Sequence, residues 1–519
     1  MKKIFYFFSL SALIVACSTS KSNTSTNNIN KVPANPTTYA ETITAENLKK
    51  ELYIYAGDEF KGRETGEEGQ KMAVEFIKQH YIESAIPAAK SDGNYFQDVP
   101  LEIMSAPEVM LTVNNKTYKN LDDFVSISSS KNTNLNTSEF VYAGFGIDDD
   151  NYSNYKNLDV KDKVVVIRSG EPKNTDGSYI ISGTNESSKW SNMRQSFALK
   201  KEVAQNKGAK ALLYYYPEVY AMAVNRFGRS SGRMSLANGG DDMLYMLINL
   251  DLAKTLVKDI ETKEEASALK ANIKIDYKNN SEKINSENVA AIIKGSEKPN
   301  EYIIISAHLD HEGVKNGEIY NGADDDGSGT VAVIEIAKAF AKAKKEGNGP
   351  KRSIVFLNVT AEEKGLLGSR HYTDNDPIFP LANTVANLNI DMIGRTDPNR
   401  EKKNRNYLYL IGSDRLSTEL HNISEAVNTK YMNIDLDYKF NEENDPNRYY
   451  FRSDHYNFAK NNIPVIFYFN GTHEDYHKPG DTPDKIQYDL LENRTRLIFY
   501  TAWELANREA RITVDKATE

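Results

Sequence analysis

Two textures of apolar and polar positions divide the chain. After residue 285, short apolar runs recur at 302–307, 353–359, 384–390, 407–411 and 464–469, with stretches of helical spacing between them. Unbroken runs such as Tyr302-Ile303-Ile304-Ile305 suit strands covered on both faces. The alternation predicts an α/β fold: a mostly parallel central sheet flanked by helices. Residues 331–343, opened by Gly327-Ser328-Gly329, and residues 490–507 read as two of the helices. Near the start, Leu48, Leu52, Ile54 and Tyr55, then Met72, Ala73, Phe76 and Ile77, give two more within 46–86. A turn from Asp58 to Gly66 separates them.

From about 100 to 285 the pattern shifts to short β-rich runs: Tyr142 to Ile147, Val160 to Ile167, then a helical stretch ending near Lys207 and the run Ala209 to Leu213. A charged amphipathic helix is expected over 254–270. This region shows no tandem repeat and no grouping of histidines with acids, so it reads as a separate scaffold or lid. A chain of 519 residues exceeds what one core usually serves, and two or three domains are expected. The order of strands and helix resembles the protease-associated domain, a β-rich insert of several exported peptidases.

The first residues carry Lys2 and Lys3, an apolar stretch from Ile4 to Ala16, and Cys17 followed by Ser-, Thr- and Asn-rich sequence. The stretch is short for a bilayer span and reads as a signal peptide. Cys17 is the one cysteine, so no internal disulfide can form. Leu13-Ile14-Val15-Ala16-Cys17 resembles the bacterial lipobox, which implies a diacylated Cys17 and an exported protein anchored to a membrane, outer membrane foremost, facing the periplasm or the cell surface. The expected organisation is then a signal peptide at 1–16, a flexible tether at 17–40, a first part of the catalytic domain at 41–110, the insert at 111–285, and the main catalytic part at 286–519. A formal charge of -9 provides no basic face, which disfavours nucleic acid as a partner.

Chemistry-bearing residues fall just past the strand runs. His308, Asp310 and His311 follow the first; Glu362 and Glu363 the second; Asp391 the third; His477 lies eight residues beyond Phe469. The acids of Gly322-Ala323-Asp324-Asp325-Asp326-Gly327 precede the first long helix. Ligands gather beyond the carboxyl ends of strands in open α/β sheets, so these groups should meet at one edge, as a set suited to zinc or a similar divalent ion. His308 and Asp310, two apart on extended backbone, point the same way, so Asp310 can hold the far ring nitrogen of His308 and fix its tautomer. Glu362 and Glu363 project differently, which lets one bind metal while the other remains a proton acceptor.

Together these motifs resemble the co-catalytic di-zinc exopeptidases, peptidase family M28, which includes bacterial secreted aminopeptidases, glutamate carboxypeptidases, glutaminyl cyclases and the transferrin receptor. Asp58-Glu59-Phe60-Lys61-Gly62-Arg63 with Thr65-Gly66 is similar to the family's opening, Asn288-Val289 to its lead-in strand, and Asp481 to Ile486 to the segment after its last ligand. The resemblance implies two Zn2+ ions, with Co2+ or Mn2+ as substitutes. It assigns Asp325 as the bridging carboxylate, His308 and Asp391 to one metal, and Glu363 and His477 to the other. It makes Glu362 the general base toward a water or hydroxide shared by the metals, and Tyr450, with Tyr449 as the alternative, the hydroxyl that steadies the intermediate. His311, His455 and His473 match no ligand position and are expected at the rim or behind the ligands. The implied activity is hydrolysis of amino-terminal residues from peptides. A glutamate-carboxypeptidase-like enzyme and a glutaminyl cyclase are the alternatives, and a non-enzymatic receptor is disfavoured because no ligand position is lost.

Overall fold

In the computed structural model the strand Lys298–His308 lies near the middle of a nine-stranded sheet, and the structure describes residues 35–516 apart from 128–130, 228–231 and 238–241. Its neighbours are Arg352–Val359 on one side and Thr384–Ile390 on the other, both parallel to it, and Val465–Phe469 runs parallel beyond Thr384–Ile390. Side chains alternate across this strand. Tyr302 and Ile304 pack with Tyr372 and Phe458, so Ile303 and Ile305 face the other side, where the helices Gly329–Lys345 and Tyr488–Asn507 lie. An all-apolar run is therefore required here, because both faces are buried.

Parallel pairing is confined to the middle of the sheet and to the edge pair of Tyr407–Ile411 with Asp435–Asp437. Glu282–Ile293 pairs antiparallel with Arg352–Val359, Phe96–Met104 and then Arg233–Leu236 extend that side antiparallel, and Tyr407–Ile411 pairs antiparallel with Val465–Phe469. The expectation of a mostly parallel sheet is corrected to a mixed one. Glu282–Ile293 and Lys298–His308 are joined by four residues, too few for a crossover, so the chain must reverse.

The region between the two parts of the nine-stranded sheet forms an eight-stranded sheet with helices, centred on the parallel strands Val164–Arg168, Ala211–Tyr215 and Leu244–Ile248. Val164, Val166 and Leu213 face one apolar cluster, while Val165, Ile167 and Leu212 face another. The chain passes between sheets at 105–107 and 279–281, a few residues before the boundaries expected at 111 and 286. The strand Arg233–Leu236, from inside this region, returns to pair with Phe96–Met104 and ties the two sheets together.

Three local expectations change. Tyr142 ends the strand Thr133–Tyr142, and the following residues turn through Gly144 and Gly146 at positive φ. The helix expected over 254–270 stops at Leu256, where Val257 turns extended, and the strand Ser267–Lys278 begins within the expected range. Its alternating burial, with Ala271, Ile273 and Ile275 inside, is a period of two that the neighbouring Lys and Glu residues obscure in the sequence. The expected signal peptide and Cys17 lie outside the described residues, but the end of the supposed tether does not. Tyr39 is buried, stacks on Trp503 at 5.5 Å between centroids and donates to Glu346 at 3.0 Å, so 36–40 is part of the packed domain.

Candidate metal centre

The parallel strands end in register, with His308 opposite Val359 and Ile390 opposite Tyr468. Their following residues then turn inward through left-handed backbone at Ala361 (φ 55°), Met392 (φ 60°) and His477 (φ 53°). Asp325 arrives from the loop before the helix Gly329–Lys345. That loop begins at Gly322 (φ 55°), where a Cβ would stand 2.2 Å from the Asp325 carbonyl oxygen and 2.5 Å from His311 Cγ, so only glycine fits.

Asp325 presents a different oxygen to each of two groups. Its Oδ1 lies 3.1 Å from His308 Nε2, which is also 3.7 Å from Asp391 Oδ1. Its Oδ2 lies 3.1 Å from His477 Nε2, which is 3.2 Å from Glu363 Oε2. Glu362 opens onto the same cleft, alongside Asp325, Asp391 and His477. The five residues expected as ligands and the expected base are thus brought together.

The surrounding hydrogen bonds fix these side chains. Ser453 Oγ donates to Asp391 Oδ2 at 2.6 Å. Asp326 accepts from the backbone N–H groups of His308, Gly329 and Met392, joining two strand ends to the helix start. Asp481 Oδ2 accepts the N–H groups of Asp324 and Asp325 at 2.9 and 3.1 Å, which holds the loop that carries the shared carboxylate. The role given to Asp310 changes in detail. The His308 Nδ1 partner is the Asp310 backbone carbonyl at 3.0 Å, whereas the nearer Asp310 carboxylate oxygen is 3.9 Å away. The carboxylate instead accepts from Thr65 Oγ1 at 2.8 Å and from the Glu362 N–H at 3.1 Å. Asp310 therefore orients Glu362 through its backbone and His308 through a carbonyl.

Arg63 explains why the turn Asp58–Arg63 matters to the site. It is 1% exposed, has no carboxylate partner among the described residues, and donates to the carbonyls of Leu309, Tyr55, Asn321 and Gly322 at 2.8–3.2 Å. Leu309 sits between His308 and Asp310, and Gly322 opens the Asp325 loop, so one planar fork clamps both segments. Arg63→Met should leave the Tyr55 and Asn321 carbonyls without this donor, the Leu309 and Gly322 carbonyls keeping the Tyr55 hydroxyl and the Gly327 N–H, and lower unfolding free energy by roughly 3 kcal/mol or more, read by denaturant titration. A loss under about 1 kcal/mol, the range of an ordinary surface change, would contradict this role.

Electrostatically, the adjacent glutamates diverge. Burial raises the Glu362 carboxyl well above its ordinary range, with repulsion from Glu363, Asp391 and Asp454 adding to it against the attraction of His308. For Glu363, burial also pushes upward, but hydrogen bonds to His311 and His477 outweigh it and hold the carboxyl at about 2. Burial alone would lower His477, yet Asp325 and Glu363 raise it to about 10, and His308 is likewise raised by Glu362, Asp325 and Asp391. The centre concentrates carboxylates that call for positive charge, supplied here by two histidines.

The donor set fits a divalent metal ion. His308, Asp325 and Asp391 each offer an atom within 4.8 Å of the others, and so do His311, Asp325 and Glu363. His311 Nε2 is buried without a hydrogen-bond partner among the described residues, as an atom free for a ligand is. His311, expected at the rim, is fully buried with Nδ1 2.9 Å from Glu363 Oε1. Its position three residues after His308 was visible in the sequence, but its direction was not. His473 lies behind the loop, 3.2 Å from Asp324 Oδ2, and His455 is buried against Phe467.

The tyrosine expectation is corrected. Tyr450 packs into the apolar clusters under the Arg415 guanidinium and does not line the cleft. Tyr449 and Tyr476 do line it. The Tyr476 ring stacks on His477 at 3.9 Å, and burial together with Asp325 and Glu363 pushes its hydroxyl upward, so it stays protonated as a donor. Adjacency to His477 was the available signal.

Acids and histidines at the ends of the parallel strands, with one carboxylate between two donor groups, form a candidate metal centre. Residues 288–502 match the family model described as Peptidase family M28. A probable glutamate carboxypeptidase of Arabidopsis thaliana (LAMP1) is 37% identical over 105 residues, 20% of this chain and 14% of that protein. Aminopeptidase NAALADL1 of Rattus norvegicus is 35% identical over 121 residues, 23% of this chain and 15% of that protein. The matched stretches thus span about one seventh of these relatives' length. Among solved structures, an aminopeptidase from Aneurinibacillus sp. strain AM-1 aligns at 20% identity over 93% of this chain and 99% of its own, with a TM-score of 0.46.

Proposed function

We propose that the protein is a metal-dependent exopeptidase, an aminopeptidase that removes residues from the amino end of peptides. The observation that carries this reading is the divided carboxylate of Asp325, with one oxygen toward His308 and the other toward His477. His308, Asp325 and Asp391 would hold one zinc ion, and Asp325, Glu363 and His477 a second. When bound, such ions lower the pKa of water to roughly 7 and polarise a peptide carbonyl.

The residues divide the remaining work. Glu362, the stronger proton acceptor of the adjacent pair, takes the proton of the attacking water on its carboxylate and returns it to the leaving amine. Tyr476 donates its O–H toward the developing oxyanion. Arg452 supports that direction, because it can only donate and lies 3.3 Å from the Tyr476 oxygen, which leaves the phenolic hydrogen for the cleft. Tyr449, Phe467 and Phe469 line the cleft beside Asp325, Glu362 and Asp391, an apolar wall facing the acids.

Removing metal from purified protein by chelation should abolish peptide hydrolysis, and zinc or cobalt should restore it. Hydrolysis by protein shown to be metal-free would refute the reading. The lipobox at Leu13–Cys17 adds a proposal of lipid anchoring in an exported protein: Cys17→Ser should move the protein from the membrane fraction to the soluble one, and retention in the membrane fraction would reject it.

A further inference from the structure

Among the described residues, Arg452 is the one arginine or lysine on the wall of the proposed catalytic cleft, among Asp325, Glu362, Asp391 and the aromatic residues. It is exposed, yet its position is set from two sides: the guanidinium lies over the Tyr449 ring at 4.9 Å, and Nη2 lies 3.3 Å from the Tyr476 hydroxyl oxygen. Among the described residues it makes no ion pair, so its charge is not spent on the cleft acids nearby. A guanidinium carries five N–H donors, and the Tyr476 contact uses one. Supporting a phenol needs only a neutral donor. A full charge held on an aromatic platform, with its planar fork free toward the cleft, is what bidentate capture of a carboxylate needs.

The location limits which carboxylate it can meet. Tyr476 stacks directly on His477, so Arg452 stands one side chain away from the candidate metal ligands. One extended residue covers about 3.3–3.6 Å, so a carboxylate within a residue or so of the scissile bond comes into range. Two sources supply it: the carboxyl terminus of a dipeptide, or an acidic side chain beside the scissile bond.

Resting on the aminopeptidase reading above, we propose that Arg452 binds a substrate carboxylate and makes dipeptides or acidic peptides the favoured substrates. The test compares kcat/KM of the zinc-loaded enzyme on matched pairs: a dipeptide against its carboxyl-terminal amide, and longer peptides with Glu against Gln at the first or second position. In at least one pair the carboxylate form should be favoured by roughly 10- to 100-fold, the size of one charge-assisted hydrogen bond. The pair that shows it names the source. Arg452→Gln should collapse that preference to within about twofold, mainly through KM, and Arg452→Lys should retain part of it. Metal content and far-ultraviolet circular dichroism of both variants verify that the fold and the centre persist. Equal rates for acid and amide forms in every pair, or a preference that survives Arg452→Gln, would overturn the proposal while leaving the peptidase reading intact. If no peptide in the panel is hydrolysed, the peptidase reading fails and this proposal fails with it.

Discussion

Glu362→Gln is expected to keep its metal and its fold while losing activity by about 10² to 10⁴, the contribution of a general base. Glu363→Gln is expected to lose metal from one side of the centre, with activity partly recovered in excess zinc or cobalt. We propose different tasks for these two identical side chains because their surroundings differ. Glu363 has oxygens 2.9 Å from His311 and 3.2 Å from His477, and these partners hold it ionised, as a ligand must be. Glu362 is buried among carboxylates that raise its proton affinity, and its backbone N–H is pinned to Asp310. Metal analysis beside kinetics on both variants decides the matter. Metal loss in Glu362→Gln with full occupancy in Glu363→Gln would reverse the assignment, and full activity in either would remove that residue from the chemistry.

Asp325→Ala should produce the largest change in metal content, because its two oxygens serve both sides of the centre. Bound zinc should fall from about two ions per chain toward zero at stoichiometric metal, measured by elemental analysis after gel filtration. Asp391→Ala touches only the His308 side and should reduce the content to about one. The comparison separates a shared carboxylate from an ordinary one. Equal losses in the two variants, or one ion retained in Asp325→Ala, would contradict a bridging role.

Much of this centre was legible because strand ends are legible. The runs ending at His308, Val359, Ile390 and Phe469 are buried on both faces, so hydrophobicity alone located them, and the acids and histidines just beyond had to converge. Side-chain direction past a strand end was not legible. It depends on single left-handed residues such as Ala361 and Met392, neither of which is glycine or asparagine, so nothing in the sequence marks them. The same limit hid His311, and it left Tyr449 and Tyr450 unordered until the chain's turn put Tyr449 on the cleft wall and Tyr450 under the Arg415 guanidinium. Arg63 stands in a recognisable motif, but its four carbonyl partners come from segments far apart in sequence. The antiparallel half of the sheet escaped for a different reason: strand direction follows from connection length and neighbour order, and a buried run looks alike in both orientations.

The central claim is that this centre hydrolyses peptides from a free amino end and needs its metal to do so. One peptide, supplied with a free and with an acetylated amino terminus, can be incubated with the zinc-loaded protein and with the chelated protein, and the products followed over time by mass spectrometry. The account predicts a ladder of single-residue losses from the amino end, seen only with the free terminus and only with metal. Cleavage of the acetylated peptide, losses from the carboxyl end, or a ladder that survives complete metal removal would contradict it.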